Sequence, residues 1–303
     1  MLRLIFTLFF YLCFSSFSHS LVIADKIAEK FDLPKSYVKE NLSKAEIVDQ
    51  VTDLISKPAE TKEWGDYKKI FVNEQRISLG EDFYRKYREE LEKAENEFYV
   101  PSEVVAAILG VETFFGKYSP EFNALDSLYT IAMNYERRSE YFTYELGNLL
   151  IYSYKNNINP KEIRSSYAGA IGYPQFMPSN ILKYAVDFDE DGEVDLVNSM
   201  SDAIGSVANF LKQHGWHYSD PTAVSVAFGR RKLTGEWMSI SMLKEKGVSF
   251  PFGLSGHKAK LIRLKDEGED IYWAVFHNFE VLKRYNPSNK YALSVLLLAV
   301  ALE

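Results

Sequence analysis

The chain has 303 residues, 47% of them hydrophobic, enough for a substantial core in one large domain or two smaller ones. Its net charge is −7, and it carries no Lys/Arg tail or basic stripe, which argues against a nucleic-acid partner. The single cysteine, Cys13, excludes an internal disulfide.

In chain order, "MLRLIFTLFFYLCFSSFSHS" comes first. A basic start at Arg3, an apolar run from Leu4 to Phe14 and small polar residues after it predict a cleaved secretory signal peptide over 1–20, hence a periplasmic protein. Cys13 lies inside this leader between Leu12 and Phe14, which is not a lipoprotein site. The mature chain then has no thiol for catalysis. Residues 21–98 read as a helical region, with helical spacing broken at Pro34, a loop through "KPAETKEWGDYKKIF", and one long amphipathic helix in "SLGEDFYRKYREELEKAENEFYVP". Residues 99–213 hold a short apolar helix, one helix through "LYTIAMNYERRSEYFTYELGNLLIYSYKN", a small-residue segment, an acidic loop at 187–202 and the helix "SDAIGSVANFLKQHG". From 214 to 278 short alternating runs ("AVSVAF", "WMSI", "KLIRL", "DIYWAVF") predict strands, with a hairpin turn at Asp266-Glu267-Gly268. Residues 279–303 return to helix, and no stretch after the leader is long and apolar enough to span a bilayer. The class is α+β, mainly α.

Three stretches could carry chemistry. In "AAILGVETFFGKYSP", Val104, Val105, Ile108, Val111 and Phe115 make one helical face, and at about 100° per residue Glu112 falls within that apolar arc. An acid among Ile and Phe has its charged form penalised and its pKa raised, which suits a general acid. The same acid could instead reach solvent at the helix end or pair with an arginine in the core. In "DFDEDGEVDLVNSMSD", Asp187, Asp189 and Asp191 stand at positions 1, 3 and 5 of a Ca²⁺ loop, Gly192 sits at the sharp turn, and Glu193 would offer a backbone carbonyl. Position 12 is Asn198 rather than a bidentate Glu, so a neighbouring carboxylate, Asp195 or Asp202, has to close the shell. In "SSYAGAIGYPQFMPSN", small residues allow close backbone approach, Ser166 and Gln175 add hydrogen-bonding groups, and Tyr167, Tyr173 and Phe176 add flat faces. Tight helix packing would explain the same composition. Its glycine spacing fits neither a P-loop nor a dinucleotide fingerprint, and the scattered histidines form no catalytic or metal pattern.

Together, "GVETFFG", "NYERR", "SSYAGAIGYPQFMPSN", "YAVDFDEDG", "DAIGSVANFLKQHGW" and "FHNFEVLKRYN" resemble the membrane-bound lytic murein transglycosylase B group, glycoside hydrolase family 103, from about Trp64 to the C-terminus. The resemblance implies a lysozyme-like helical core with an EF-hand-like loop. The implied activity is cleavage of the MurNAc–GlcNAc β-1,4 bond of peptidoglycan glycan strands without water, leaving a 1,6-anhydro-muramyl end. It makes Glu112 the acid and then the base. It places Tyr67, Ser166, Gln175, Tyr285 and Asn286 along the glycan groove, and sets Arg137 and Arg138 against the acidic peptide or lactyl part of muramic acid. Its calcium ligands map to Asp187, Asp189, Asp191, the Glu193 carbonyl and Asp202; no organic cofactor is implied. Four departures stand out: Pro174 where relatives carry Gly, Phe115 for a Trp, Phe210 for a Tyr, and one extra residue before Asp202. Two rivals share these features, a lysozyme-type hydrolase and a non-catalytic peptidoglycan-binding scaffold.

Overall fold

The computed structural model describes residues 21–56, 62–229, 235–251, 254 and 256–303. The signal peptide expected over 1–20 and residues 57–61 of the expected loop lie outside the described residues. Residues 21–31 form α1. Then come Lys35–Ser43 (α2), Asp49–Ile55 (α3), Trp64–Phe71 (α4), Glu74–Lys86 (α5), Arg88–Phe98 (α6) and Ser102–Thr113 (α7). A short strand, Phe122–Asn123 (β1), leads into Ala124–Asn134 (α8) and Ser139–Asn156 (α9), and Arg164–Ser165 (β2) precedes Pro178–Tyr184 (α10) and Met200–Gln213 (α11). Ala223–Val226 (β3), Met238–Ser239 (β4), Ile240–Glu245 (α12), Lys258–Asp266 (β5) and Glu269–Val275 (β6) follow, before His277–Tyr285 (α13) and Asn289–Leu302 (α14). Among the described residues no helix is long and apolar enough to cross a membrane.

Two helices expected to be continuous are broken. The stretch 78–101 bends at Tyr87 (φ −113°, ψ 30°) into α5 and α6. Tyr87 N–H donates to the Phe83 carbonyl at 3.0 Å and closes α5, and its own carbonyl accepts the Leu91 N–H at 3.0 Å and opens α6, so Tyr87 itself is paired on both sides. The bend serves two sets of neighbours, since α5 packs on α7 and α14 while α6 packs on α7 and α11. The stretch 128–156 breaks at Tyr135 (φ −115°, ψ 81°), where a 3₁₀ turn, Glu136–Arg138, joins α8 to α9. The Ser139 hydroxyl donates to the Ala132 carbonyl at 2.5 Å, a side chain replacing helical continuation, and α8 and α9 fold back on each other.

The chain divides into two compact units, Met1–Pro58 with Ser119–Lys183, and Ala59–Tyr118 with Tyr184–Glu303. In the first, α8 packs on α3 and α9, and β1 pairs antiparallel with β2. The second is built on α7. Most of its twelve residues are buried, as for a helix enclosed on every side, and α5, α6, α11 and α14 surround it. This unit also carries the antiparallel sheet in the order β3-β6-β5-β4, over its own small core of Val226, Met238, Leu243, Leu261, Ala274 and Phe276. The expected hairpin is present: Asp266 pairs with Glu269, and Glu267 (φ 50°) with Gly268 (φ 82°) turn in the left-handed region that a two-residue hairpin needs.

Candidate active site

Glu112 stands in the last turn of α7 and is half-buried. Its Oε1 accepts a 2.7 Å hydrogen bond from the Tyr291 hydroxyl, in the first turn of α14. Burial pushes the Glu112 carboxyl up to about 7, and the Tyr291 bond pulls the other way because it favours the charged form. Among the described residues no arginine or lysine is ion-paired with Glu112, so the pairing that the sequence left open is not made.

The phenols around Glu112 stay protonated. Burial first, and then the Glu112 charge, raise Tyr291 and Tyr285 well above the usual phenol value. The Tyr285 and Tyr291 rings lie nearly parallel at 6.3 Å, and Phe210 meets Tyr285 edge-on at 4.9 Å. Phe210 is itself buried, with its ring 4.1 Å from that of His214. Tyr67 on α4 is buried, 5.1 Å from Phe71, and its phenol contributes to raising Tyr291. Asn286 caps the end of α13 and accepts the Ser288 N–H at 3.2 Å through its side chain. Glu112, Tyr67, Tyr285 and Asn286 thus belong to one compact unit, and so does the acidic loop.

Arg137, Arg138, Ser166 and Gln175 belong to the other unit. Both arginines are exposed on the 3₁₀ turn, and the Arg138 guanidinium lies 4.8 Å from the Tyr141 ring centroid. Ser166 organises a tight turn. Its Oγ accepts the Ala170 N–H at 3.1 Å, and its N–H donates to the Ala170 carbonyl at 2.9 Å. Gly169 (φ 82°) is obligatory there, since a Cβ would stand 2.4 Å from the Leu128 side chain. Gln175 adopts φ 51° and donates through its side chain to the Gly172 carbonyl at 2.9 Å. The carboxyl of Glu145, buried on α9, accepts the Ser179 N–H at 2.9 Å and its hydroxyl at 2.7 Å, fixing the start of α10.

In the acidic loop, Asp187, Asp189 and Asp202 each aim a carboxylate oxygen to within 4.8 Å of the others. Asp202 is buried, and its oxygens accept the Phe188 N–H at 2.7 Å and the Asp195 N–H at 2.8 Å. Burial raises its pKa, these backbone bonds and a further one from Asp189 oppose that, and the Asp189 charge adds to it. Of the two candidates for closing the shell, Asp202 joins the trio despite the extra residue before it. Asp195 accepts the Val197 and Asn198 N–H groups instead, both at 2.9 Å. Asp191 and Glu193 are exposed, and the Asp191 Oδ1 accepts the Glu193 N–H at 2.9 Å. Hard oxygen donors converging on one point fit a divalent cation such as Ca²⁺.

Tyr291 is the functional neighbour that the sequence reading passed over. Its signal was a phenol near the start of the otherwise apolar "YALSVLLLAVAL" helix, six residues after Tyr285.

A family model described as a transglycosylase SLT domain matches residues 16–300. The chain is 36% identical over 291 residues to the membrane-bound lytic murein transglycosylase B of Escherichia coli (strain K12), covering 91% of this chain and 80% of that protein. Among solved structures it is similar to the soluble lytic transglycosylase SltB1 of Pseudomonas aeruginosa, with 33% identity, 94% of this chain and 98% of that one covered, and a TM-score of 0.85. It is also similar to the Escherichia coli lytic transglycosylase Slt35 in complex with calcium, with 36% identity, 93% of this chain and 92% of that one covered, and a TM-score of 0.84.

Proposed function

The chain belongs to the SLT-domain transglycosylase family and is a lytic transglycosylase of peptidoglycan, and on that premise we propose that Glu112 is its single acid and base. Glu112 protonates the glycosidic oxygen leaving MurNAc, and the N-acetyl carbonyl of the same sugar attacks C1. Glu112 then accepts the proton of the C6 hydroxyl as that oxygen attacks C1, displaces the N-acetyl oxygen from it and closes the 1,6-anhydro ring. Each bond broken is matched by one formed within the sugar, so no water and no second carboxylate are required, in contrast to the carboxylate pair of an ordinary glycosidase. One observation carries this reading: a half-buried carboxyl pushed up to about 7, with a phenol as its hydrogen-bond partner. Such a group holds its proton at working pH and gives it up without a large penalty.

The Tyr291 hydroxyl donates to one carboxyl oxygen and so leaves the proton on the other, the one that faces the sugar. Tyr67, Tyr285, Asn286, Ser166 and Gln175 bind glycan, and Arg137 and Arg138 bind its acidic substituents. Asp187, Asp189, Asp191, the Glu193 carbonyl and Asp202 hold a structural Ca²⁺, which pins the loop ahead of α11 and takes no part in bond breaking. The loss of a hydroxyl at Phe210 and of an N–H at Pro174 trims the groove without touching the acid. The leader over 1–20 delivers the enzyme to the periplasm.

The test is Glu112→Gln on purified sacculi, with mass spectrometry of the released muropeptides. Wild type releases anhydro-muramyl ends, and the variant loses about 10²–10⁴-fold in rate. Products one water heavier would make the enzyme a hydrolase. Binding to sacculi without release by the wild type would make it a scaffold.

A further inference from the structure

The turn after Glu112 is strained in an unusual way. Phe114, Phe115 and Gly116 all have positive φ (54°, 57° and 78°), and two consecutive phenylalanines in the left-handed region need their surroundings to hold them there. The Phe115 ring packs 5.3 Å from that of Phe83 and is folded back against its own helix. A Cβ at Gly110 would stand 2.4 Å from the tip of that ring, and one at Gly80 would stand 2.8 Å from it. Glycine at both positions therefore lets α5 and α7 close on Phe115.

Arg76 on α5 completes the enclosure. It is only 9% exposed, yet among the described residues no carboxylate neutralises it, and its Nε is buried without a partner. One guanidinium nitrogen donates to the Gly110 carbonyl, in the last turn of α7. The guanidinium carbon lies 4.5 Å from the Phe114 ring centroid and 5.4 Å from that of Phe71. Burial alone pulls the Arg76 pKa down to about 10, so the side chain is held charged in a place that penalises charge. Its hydrogen bond and its flat face are both spent on residues two positions before and two positions after Glu112. A cation near a helix C-terminus is also well placed against the terminal carbonyls.

We propose that Arg76 is a positioning residue that clamps the last turn of α7, so that the Glu112 carboxyl stays against Tyr291 and shielded from water. The proposal rests on the reading of Glu112 as the acid. The charged and titratable groups in play are Arg76 on α5, Tyr285 on α13 and Tyr291 on α14, with Tyr67 on α4 behind Tyr291.

Two full-chain variants test it. Arg76→Lys keeps the charge and loses the planar fork, and Arg76→Met keeps the stem and loses both. Turnover of soluble peptidoglycan strands is measured per folded molecule. The Glu112 carboxyl is titrated by carbon-13 NMR, with Glu112→Gln identifying its signal. Both variants are expected to lose roughly 10–100-fold in kcat with KM within about twofold, the scale of a misplaced catalytic group. The Glu112 midpoint should fall towards the ordinary carboxylate value. Unchanged kcat with an unchanged midpoint overturns the clamp, and so does a kcat loss with an unchanged midpoint or a rise in KM alone. A lowered midpoint with unchanged kcat keeps the clamp and refutes Glu112 as the proton donor. Arg76→Lys retains a buried cation and decides the matter if Arg76→Met does not fold.

Discussion

The unit that carries α7 contains two very different settlements of acidic side chains. At the end of α7 one carboxyl is half-buried among aromatic rings with the Tyr291 hydroxyl as its donor, and its pKa climbs to about 7. In the loop at 187–202 several carboxylates crowd together, but backbone N–H groups bond to them and solvent reaches most of them. Asp187 alone accepts the Asp191 N–H at 3.1 Å and the Gly192 N–H at 2.9 Å. Desolvation with little compensation makes a group that holds a proton. Convergence with backbone support makes a group that waits for a cation. The side-chain chemistry is the same in both places, and the surroundings decide whether it suits a proton or a divalent cation.

The largest effect should separate the two in rate. Glu112→Gln is expected to lose about 10²–10⁴-fold in solubilisation of sacculi, while Asp189→Asn should stay within about threefold of metal-loaded wild type. A comparable loss in both variants would break the contrast, because the loop would then be acting on the chemistry. The second effect is thermal. A cation held at 100 times its dissociation constant stabilises by about 2.7 kcal/mol, so chelation of metal-loaded protein should lower Tm by roughly 5–10 °C. The Asp189→Asn variant should show little further shift with chelator. No shift in loaded wild-type protein would remove the structural ion from the account.

How much of this contrast was legible in the sequence depends on the length scale that fixes each feature. The acid on α7, the DxDxDG loop and the 267–268 hairpin are set by residues within a few positions of one another, and they stand where spacing put them. The break at Tyr87 was not legible, because no glycine or proline marks it and only the different partners of α5 and α6 require it. Which carboxylate would meet Asp187 and Asp189 was open for a similar reason. Asp195 and Asp202 are both near in sequence, and the choice is made by the Ser199 cap that turns α11 so that Asp202 points back into the loop. Tyr291 and Arg76 lie 179 and 34 residues from the groups they bond, beyond any periodicity.

The third effect is a pH dependence of stability, smaller and of opposite sign to that of most carboxylates. The folded-state pKa of Glu112 is raised from 4.5 to about 7, so the folded chain keeps a proton that the unfolded chain has lost. Its contribution is complete below the unfolded value and disappears as pH rises through about 7. Glu112→Gln cannot ionise. It should match wild type near pH 4 and exceed it at pH 8 by no more than about 2 kcal/mol, a limit that allows for the partial opening of the side chain to water. Urea unfolding of both proteins across that range measures the difference. Equal stability at pH 8 would mean that Glu112 ionises there at no penalty, which would dissolve the distinction from the loop.

The smallest effect concerns Tyr291, the donor to Glu112. Tyr291 lowers the pKa of the acid by favouring its charged form, so Tyr291→Phe should raise it and carry the alkaline limb of kcat/KM upward. Phenylalanine preserves the ring against Tyr285, and at pH 6 the lost bond is a single one to a mostly protonated carboxyl, so the rate there should fall by less than about tenfold. A limb that moves downward would mean that the removed hydroxyl had been replaced by water, since solvation of the ionised carboxyl would then outweigh the lost bond. An unmoved limb would mean that the acid titrating in the profile is not the one bonded to Tyr291. Only an upward shift with most of the rate retained fits a carboxyl whose proton is kept by its surroundings and merely aimed by its partner.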